Sequence, residues 1–548
     1  MPNFSIKTLK HLENSIPEDI SGYSLGFYSI ALEAWRRGLN VKFLNKNVKN
    51  KASIKYEISS LDKKYIFSGS RNLTLAKEVS KITGNKQKTK EYLLQKNVPT
   101  PEGKSFSEES KDDEIIQFGK QLGFPLVVKP VNGHAGIGVV ADIRTIKELE
   151  NALVYVRKEL KYKNLIVEKY FEGEDYRVFV VGEEVVAITK RYPANVLGNG
   201  QETIRQLIKK KNELRLNHPM LSSSRIKIDS ELKSMLTRQN YTLDSIPKKD
   251  KLVLLKSKNN ISSGGDPVDI TDEVSDKIKQ IAIEAMKAIP DLKNAGVDLI
   301  VNEMENSAVV LEINSQASIR SHLYPIYGEP RDVPSKLIDL YFPETKSVKK
   351  NENLFFLFNK VWANFQKGIF QEYTLPAVPQ NPTVFKKLVV EGNVYNVNFG
   401  SWVRKQARIF KLHGHVKHLN NNKTEIVIMG NEIDIDQFQD KLLNGHPDKV
   451  SIDRITEKEI NYPIPCGFRL INSELDRIIK DGYFPQRIEG ISELRRPEKK
   501  RTSTKQEKKK VATKKDSINK DSSINKKESP KRKSILIRLL KKVYKKVK

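Results

Sequence analysis

The chain has 548 residues, 38% of them hydrophobic, and a formal charge of +30. That length suggests three or four units rather than one core. The lone cysteine, Cys466, excludes an intramolecular disulfide and a cysteine metal cluster. No run of about 18 apolar residues suggests a transmembrane helix, and the N-terminal MPNFSIKTLKHLENS lacks the apolar centre of a signal peptide. A reducing cytoplasm is the expected setting.

In chain order, residues 1–84 read as a small α/β unit. SGYSLGFYSIALEAWRRGLN is a helix ending at Gly38, and VKFLN and KYIFSG are strands. Residues 85–345 form the next unit, opened by the basic helix NKQKTKEYLLQKN, which Pro99 and Pro101 stop. GFPLVVKP is a buried strand, NGHAGIGV a glycine-rich turn, and DYRVFVVGEEVVAITKRY a hairpin turning at Gly182-Glu183. SDKIKQIAIEAMKAI is an amphipathic helix, and GVDLIV and AVVLEIN are paired strands. Residues 346–383, ending in PAVPQNP, read as an extended linker. Residues 384–472 follow a β-α-β-β-α-β order, that of a split βαβ, ferredoxin-like fold. Residues 473–496 look helical.

Residues 497–534 are Lys-, Ser- and Asn-rich and bury too little apolar surface to order themselves. Residues 535–548 carry Leu536, Leu539, Leu540, Val543 and Val547 on one helical stripe, with basic residues around it. From Pro497 to the end there are 21 Lys and Arg against 5 Asp and Glu, a net of +16. Such a tail suits an anionic membrane surface or another polyanion.

The chemistry concentrates in the central unit. Lys86 starts a helix and Lys129 ends LVVKP, where two ammonium groups can meet phosphate oxygens. The glycines of Asn132–Gly138, among them Gly133, Gly136 and Gly138, let backbone N–H groups approach phosphate. A strand ending Glu168-Lys169-Tyr170 can offer backbone groups to an adenine edge, and Asp175 can reach ribose hydroxyls. Glu312 and Asn314 share one face of an otherwise apolar strand. With Asp298 on a neighbouring strand they make an oxygen-rich site for a hard cation. Polar groups in such strands are costly unless they are used.

These segments resemble the ATP-grasp fold, in the form found in cyanophycin synthetases and bifunctional glutathione synthetases. The resemblance runs from NKQKTKEYLL through GFPLVVKPVNGHAGIGV and VEKYFEGEDYRVFVVGEEVVAITKRYPANVLGNG to LEINSQASIRSHLYPIYGEP. It implies that Lys86 and Lys129 bind ATP phosphates and that Gly133 to Gly138 form a mobile lid. Glu168 and Tyr170 would flank adenine, Asp175 the ribose. Asp298, Glu312 and Asn314 would hold magnesium, with manganese as the alternative. Arg320 would stabilise an acyl-phosphate, and Arg191 with the PANVLGNG loop would help form the acceptor pocket, near His218. Two departures fall on the substrate side: Ser315-Gln316-Ala317-Ser318 replaces Ala-Ala-Pro-Gly, and Asn85 replaces an acidic residue.

Residues 388–430 resemble acylphosphatase. Val390–Gly400 matches its phosphate loop, and Gly414–His418 its second motif. The phosphate-cradling arginine falls at Gly400, the water-orienting asparagine at His418, and a loop glycine at Asn396. The resemblance therefore implies a binding module that has lost hydrolysis.

The expected architecture is a multidomain α/β and α+β chain: an ATP-grasp fold, then a ferredoxin-like domain and a basic disordered tail. The expected function is an ATP- and magnesium-dependent carboxylate–amine ligase acting on amino acids or peptides. The alternatives are an acylphosphatase hydrolase, or a membrane- or polyanion-associated scaffold with vestigial enzyme domains.

Overall fold

Helix α1 (Ser24–Arg36) is buried along almost its whole length, with Tyr28, Leu32 and Trp35 at 0–1% exposure. Arg36 is buried with them and stays charged because its guanidinium donates to the carbonyls of Leu354 (2.8 Å) and Glu352 (2.7 Å) and to Ser15 Oγ (2.7 Å). Strands β1 (Asn40–Val48), β2 (Lys51–Ser59), β3 (Lys64–Ser68) and β4 (Arg71–Asn72) follow as an antiparallel meander. The computed structural model describes residues 7–471 except 18, 19, 23, 49, 50, 75, 76, 134–136, 380–382, 396 and 421. The helical, disordered and amphipathic segments expected over 473–548 lie outside the described residues.

Helix α2 (Lys77–Thr83) leads to α3 (Lys86–Gln95), whose N-cap Asn85 accepts from the Lys88 N–H at 3.1 Å. Capping by Asn85 fixes Lys86 as the first helical residue. Strand β5 (Gly103–Phe106), helix α4 (Asp112–Leu122), strands β6 (Leu126–Pro130) and β7 (Val140–Ile143), helix α5 (Ile146–Leu153) and strand β8 (Leu165–Lys169) build a four-stranded antiparallel sheet. Its order is β5-β8-β6-β7, over a core of Ile115, Leu126, Val128, Leu149, Val156 and Val167. At Gly103 a Cβ would lie 2.3 Å from the Val167 carbonyl oxygen, so only glycine fits that edge pairing.

The hairpin β9 (Glu174–Val181) and β10 (Glu184–Tyr192) turns at Gly182, as the sequence predicts. After it, β11 (Asn195–Leu197), α6 (Ile204–Leu216), α7 (Ser230–Thr237) and β12 (Leu252–Leu254) close a small separate core. Lys211 and Arg215 of α6 pin it to Asp266 at 2.5 and 2.7 Å. Then come β13 (Asp266–Asp269), α8 (Asp276–Lys287), β14 (Asn294–Asn302) and β15 (Ser307–Asn314). The second sheet has the order β13-β10-β9-β14-β15.

After helices α9 (Arg320–Leu323) and α10 (Val333–Tyr341), the structure departs from the expected extended linker at 346–383. This stretch holds β16 (Leu354–Phe355), α11 (Phe358–Gln366) and β17 (Glu372–Thr374). β17 pairs with β1, completing the sheet β17-β1-β2-β3-β4. The cause is aromatic: Phe355, Phe356, Phe358 and Phe365 are each at most 2% exposed and fill the core under α1. The proline-rich end masked this pattern in the sequence.

The last unit runs β18 (Thr383–Asn393), α12 (Phe399–Ile409), β19 (His413–Asn420), β20 (Lys423–Asn431), α13 (Glu432–Asn444) and β21 (Ser451–Glu459). This is the expected β-α-β-β-α-β order. Two short strands, β22 (Ile464–Pro465) and β23 (Phe468–Ile471), extend it. β23 adds to the sheet β21-β18-β20-β19-β23, and β22 runs parallel to β16. Phe385, Val427 and Met429 of this sheet belong to the same core as α1, so the unit is welded to the N-terminal one.

Two outcomes follow from this packing. Phe356 lies 4.7 Å from Tyr28 and 5.7 Å from Phe43, ring centroid to centroid. Phe356→Ala is expected to cost about 3–5 kcal/mol, read as a lowered urea midpoint; an unchanged midpoint would remove the connector from the core. Burial holds the His218 imidazole down at about 4 and that of His322 at about 3, the latter helped by Arg177 and Arg191. Both stay neutral where the unfolded chain's histidines protonate. Stability from them is therefore full above pH 6.5 and falls with pH toward 4, by up to about 1.4 kcal/mol per pH unit per histidine. His322→Asn should flatten that slope in urea titrations at several pH values; an unchanged slope would contradict the assignment.

Candidate active site

The two sheets of the central unit present polar ends to one another, and α3 stands between them. Lys86 Nζ donates to the Gly133 carbonyl (2.9 Å), after β6, and lies 3.3 Å from Glu312 Oε2 on β15. One ammonium thus touches the glycine loop of one sheet and a carboxylate of the other. Lys129, at the end of β6, meets Glu168 Oε2 at 2.5 Å. Lys90, one helical turn after Lys86, meets the other Glu168 oxygen at 3.3 Å. Glu168, expected beside adenine, here serves as counter-ion to two half-buried or buried lysines. Burial pulls the Lys90 pKa down and Glu168 partly offsets it. The Tyr170 N–H is engaged by the Pro125 carbonyl at 2.9 Å.

On the second sheet the register lines up Arg177, Asp298 and Glu312 across β9, β14 and β15. Arg177 clamps Asp298 with two nitrogens, the Nη2 contact at 2.9 Å. Gly296 makes room for it, since a Cβ there would lie 3.2 Å from Arg177 Cδ and 2.4 Å from Ala317 Cβ. Arg191 on β10 holds Asp175 through Nε at 3.0 Å and approaches Asp298 at 3.3 Å. Burial raises the Asp175 pKa against the pull of Arg191. Burial opposes the charge on Arg191, but Asp298, Asp175 and Glu312 outweigh it and hold the guanidinium protonated. Asp175, expected at the ribose, thus joins the carboxylate row.

The Asn314 amide donates to Glu312 (2.9 Å) and lies 3.4 Å from Asp298. Burial raises the Glu312 pKa, yet Lys86, Asn314 and Arg177 prevail and hold it at about 2. This donor set fits a hard cation: two carboxylates and an amide that, with its oxygen rather than its N–H turned inward, would all offer oxygen. Among the described residues, no group of three or more His, Cys, Asp or Glu is placed to hold a metal. Asn314 and phosphate oxygens would have to complete the coordination, which suits magnesium.

In the glycine loop, Gly138 has φ +77° and a Cβ there would come within 2.8 Å of the Pro130 ring; at Gly133 the distance is 3.2 Å. Gly136 lies outside the described residues. Arg320 opens α9, its Nε donating to Ser318 Oγ at 2.9 Å, and it lines a cleft with the segment after Asn314. His218 is buried and accepts from the Met220 and Leu221 N–H groups at 3.2 and 3.3 Å, a chain-turning role.

The sequence reading missed Lys90, Arg177 and Gly296. Lys90 shares the Lys86 face of α3, and Arg177 shares the Asp175 face of β9, which were the available signals.

In the last unit, a Cβ at Gly400 would lie 2.7 Å from Leu470 Cδ1 and 3.1 Å from His418 Nε2. His418 is fixed by Thr424 (2.8 Å) and by the edge of Tyr395. The space beside position 400 is therefore filled, and Asn396 lies outside the described residues.

Residues 83–215 match the RimK-like ATP-grasp domain family and residues 386–470 the acylphosphatase family. A cyanophycin synthetase from Geminocystis herdmanii is 34% identical over 272 residues, covering 47% of this chain and 30% of that protein. A glutathione biosynthesis bifunctional protein from Clostridium perfringens is 28% identical over 359 residues, covering 62% and 44%. The crystal structure of a bifunctional glutathione synthetase from Pasteurella multocida aligns with TM-score 0.45 and 26% identity, over 59% of this chain and 45% of that one. The chain thus spans less than half the length of these relatives. Within it, residues 83–215 are similar to the RimK-like ATP-grasp domain family and residues 386–470 to the acylphosphatase family.

Proposed function

We propose that the chain is an ATP- and magnesium-dependent carboxylate–amine ligase that works through an acyl-phosphate on amino-acid or peptide substrates. The observation that carries this reading is the Lys86 contact, which ties the glycine loop to Glu312 and gathers the cations and carboxylates of two sheets in one cleft. In the reading, Lys86 and Lys129 exchange Glu312 and Glu168 for ATP phosphate oxygens. Glu168 and Tyr170 flank adenine through the β8 end, and Asp175 faces the ribose. The Gly133–Gly138 loop covers the phosphates and excludes water.

Asp298, Glu312 and Asn314 would hold magnesium, or manganese as the alternative, which would neutralise phosphate charge. Arg320 and Arg191 orient the substrate carboxylate and the transferring phosphoryl group. A carboxylate oxygen attacks the γ-phosphorus and the bond to ADP breaks. The amine then attacks the carbonyl carbon, phosphate leaves, and the amine proton passes to solvent.

The acylphosphatase-like domain acts as a binding module, supported by the filled space beside Gly400. We place the protein in the cytoplasm; no described helix is long and apolar enough to cross a membrane. The basic stretch 497–548 is the candidate contact for an anionic membrane surface or polyanion.

Purified protein with ATP and magnesium should release ADP only when both a carboxylate and an amine are supplied from an amino-acid and dipeptide panel. Glu312→Ala should lower kcat by about a hundredfold or more; a variant matching wild type would overturn the metal assignment. Acetyl phosphate hydrolysis should stay at the uncatalysed rate in both wild type and Gly400→Arg. Hydrolysis by the wild type would restore the hydrolase alternative.

A further inference from the structure

A cavity of about 230 Å³ lies where β2, β4 and α2 meet Leu292, Asn294 and Ser315 of the central unit. Lys55 from β2, Arg71 from β4 and Lys77 from α2 line it, together with Asn72 and Ser80. No described lining residue is acidic. The neighbouring residues 75 and 76, which lie outside the described residues, are leucine and alanine and carry no charge. Lys86, Lys129, Asp298 and Glu312 do not line this cavity, so it is a different place from the cleft between the two sheets.

The cations around it have no counter-ion among the described residues. Arg71 donates through Nη1 to the neutral Ser80 Oγ at 3.2 Å, while its buried Nε meets no acceptor. Burial pulls the Arg71 pKa down, and no carboxylate opposes that pull. Arg37 and Arg215, also buried, instead meet Glu33 and Asp266 at 2.8 and 2.7 Å. Neither Lys55 nor Lys77 forms an ion pair among the described residues. Like charges around so small a space repel one another. A part-buried guanidinium without a charged partner also gives up hydration for little in return. An anion entering the cavity relieves both costs.

We infer that this cavity binds a phosphate group. Its volume falls below the range of pockets that enclose a drug-sized ligand, so it suits one small group rather than a nucleotide. A phosphate monoester carries about −1.5 to −2 charges near neutral pH, more than a carboxylate, and so balances more of the positive charge. The guanidinium offers planar N–H donors, and the two ammonium groups offer mobile point charges. Two of the surrounding segments run into the proposed ligase site. Helix α2 leads through Gly84 to Asn85 and Lys86, and Ser315 follows Asn314. The Thr83 and Ser315 hydroxyls join those segments at 3.0 Å. The phosphate site itself stands on the charges of the cavity and does not depend on the ligase reading.

The test is calorimetric titration of the full chain, near neutral pH and without nucleotide, with inorganic phosphate, glycerol phosphate and acetate. A phosphate ligand should bind, and acetate should bind at least tenfold more weakly. Tighter binding of inorganic phosphate would identify free phosphate as the source; tighter binding of glycerol phosphate would identify a phosphorylated small molecule. Arg71→Gln should weaken binding about tenfold or more. Lys77→Gln, at an exposed position where folding is not at stake, should weaken it about threefold or more. Lys86→Gln, in the ATP cleft, should leave it within about twofold. Phosphate binding unchanged by Arg71→Gln and Lys77→Gln would overturn the inference, whether or not Lys86→Gln abolishes it. Acetate binding as tight as phosphate, or no binding of either phosphate ligand, would overturn it as well. Turnover with ATP bears on the ligase reading alone.

Discussion

Burying ionised carboxylates between two sheets is costly unless each is paired. The central unit meets that constraint with Lys86, Lys90, Lys129, Arg177 and Arg191 set against Glu168, Asp175, Asp298 and Glu312. Much else follows from it. Gly296 must lack a side chain so that Arg177 can reach Asp298. Asn85 must cap α3 so that Lys86 stands at its first position. Glu312 stays ionised because cations outnumber the penalty of burial. A site with cations already poised over carboxylates can accept a polyanion by exchanging partners, with little new charge to bury.

The joining segment adds a second constraint. Its aromatic side chains are too apolar to remain in water, and they are buried in the core under α1. Satisfying them draws the acylphosphatase-like sheet against the N-terminal unit, with the Ile464 and Cys466 N–H groups donating to the Asn353 and Phe355 carbonyls at 2.8 and 2.7 Å. Removing that domain would therefore strip support from the rest of the chain, so point substitutions separate its roles better than deletion.

Much of this was legible in the sequence. Strands such as LVVKP and LEIN announce themselves by apolar runs, and a charged or amide residue inside them stands out. That is why Lys129, Glu312 and Asn314 could be read, and the structure brings Glu312 and Asn314 beside Asp298. Lys90 and Arg177 could not be singled out, because a lysine on a basic helix and an arginine on a strand look like solvated surface. Their partners come from cross-strand register for Arg177 and, for Lys90, from α3 lying close enough to β8 to meet Glu168, which no local pattern encodes. The strand Lys51–Ser59 was missed for a similar reason: KASIKYEIS is polar enough to pass for loop, and only pairing with β1 orders it.

The central claim is that a carboxylate oxygen becomes the bridge to phosphate before the amine attacks. It is tested most directly by supplying the turnover substrate with its carboxylate labelled with oxygen-18 and analysing the released phosphate by mass spectrometry. The acyl-phosphate route predicts one labelled oxygen in each phosphate and one retained in the amide. Unlabelled phosphate, or label recovered in AMP, would contradict the account.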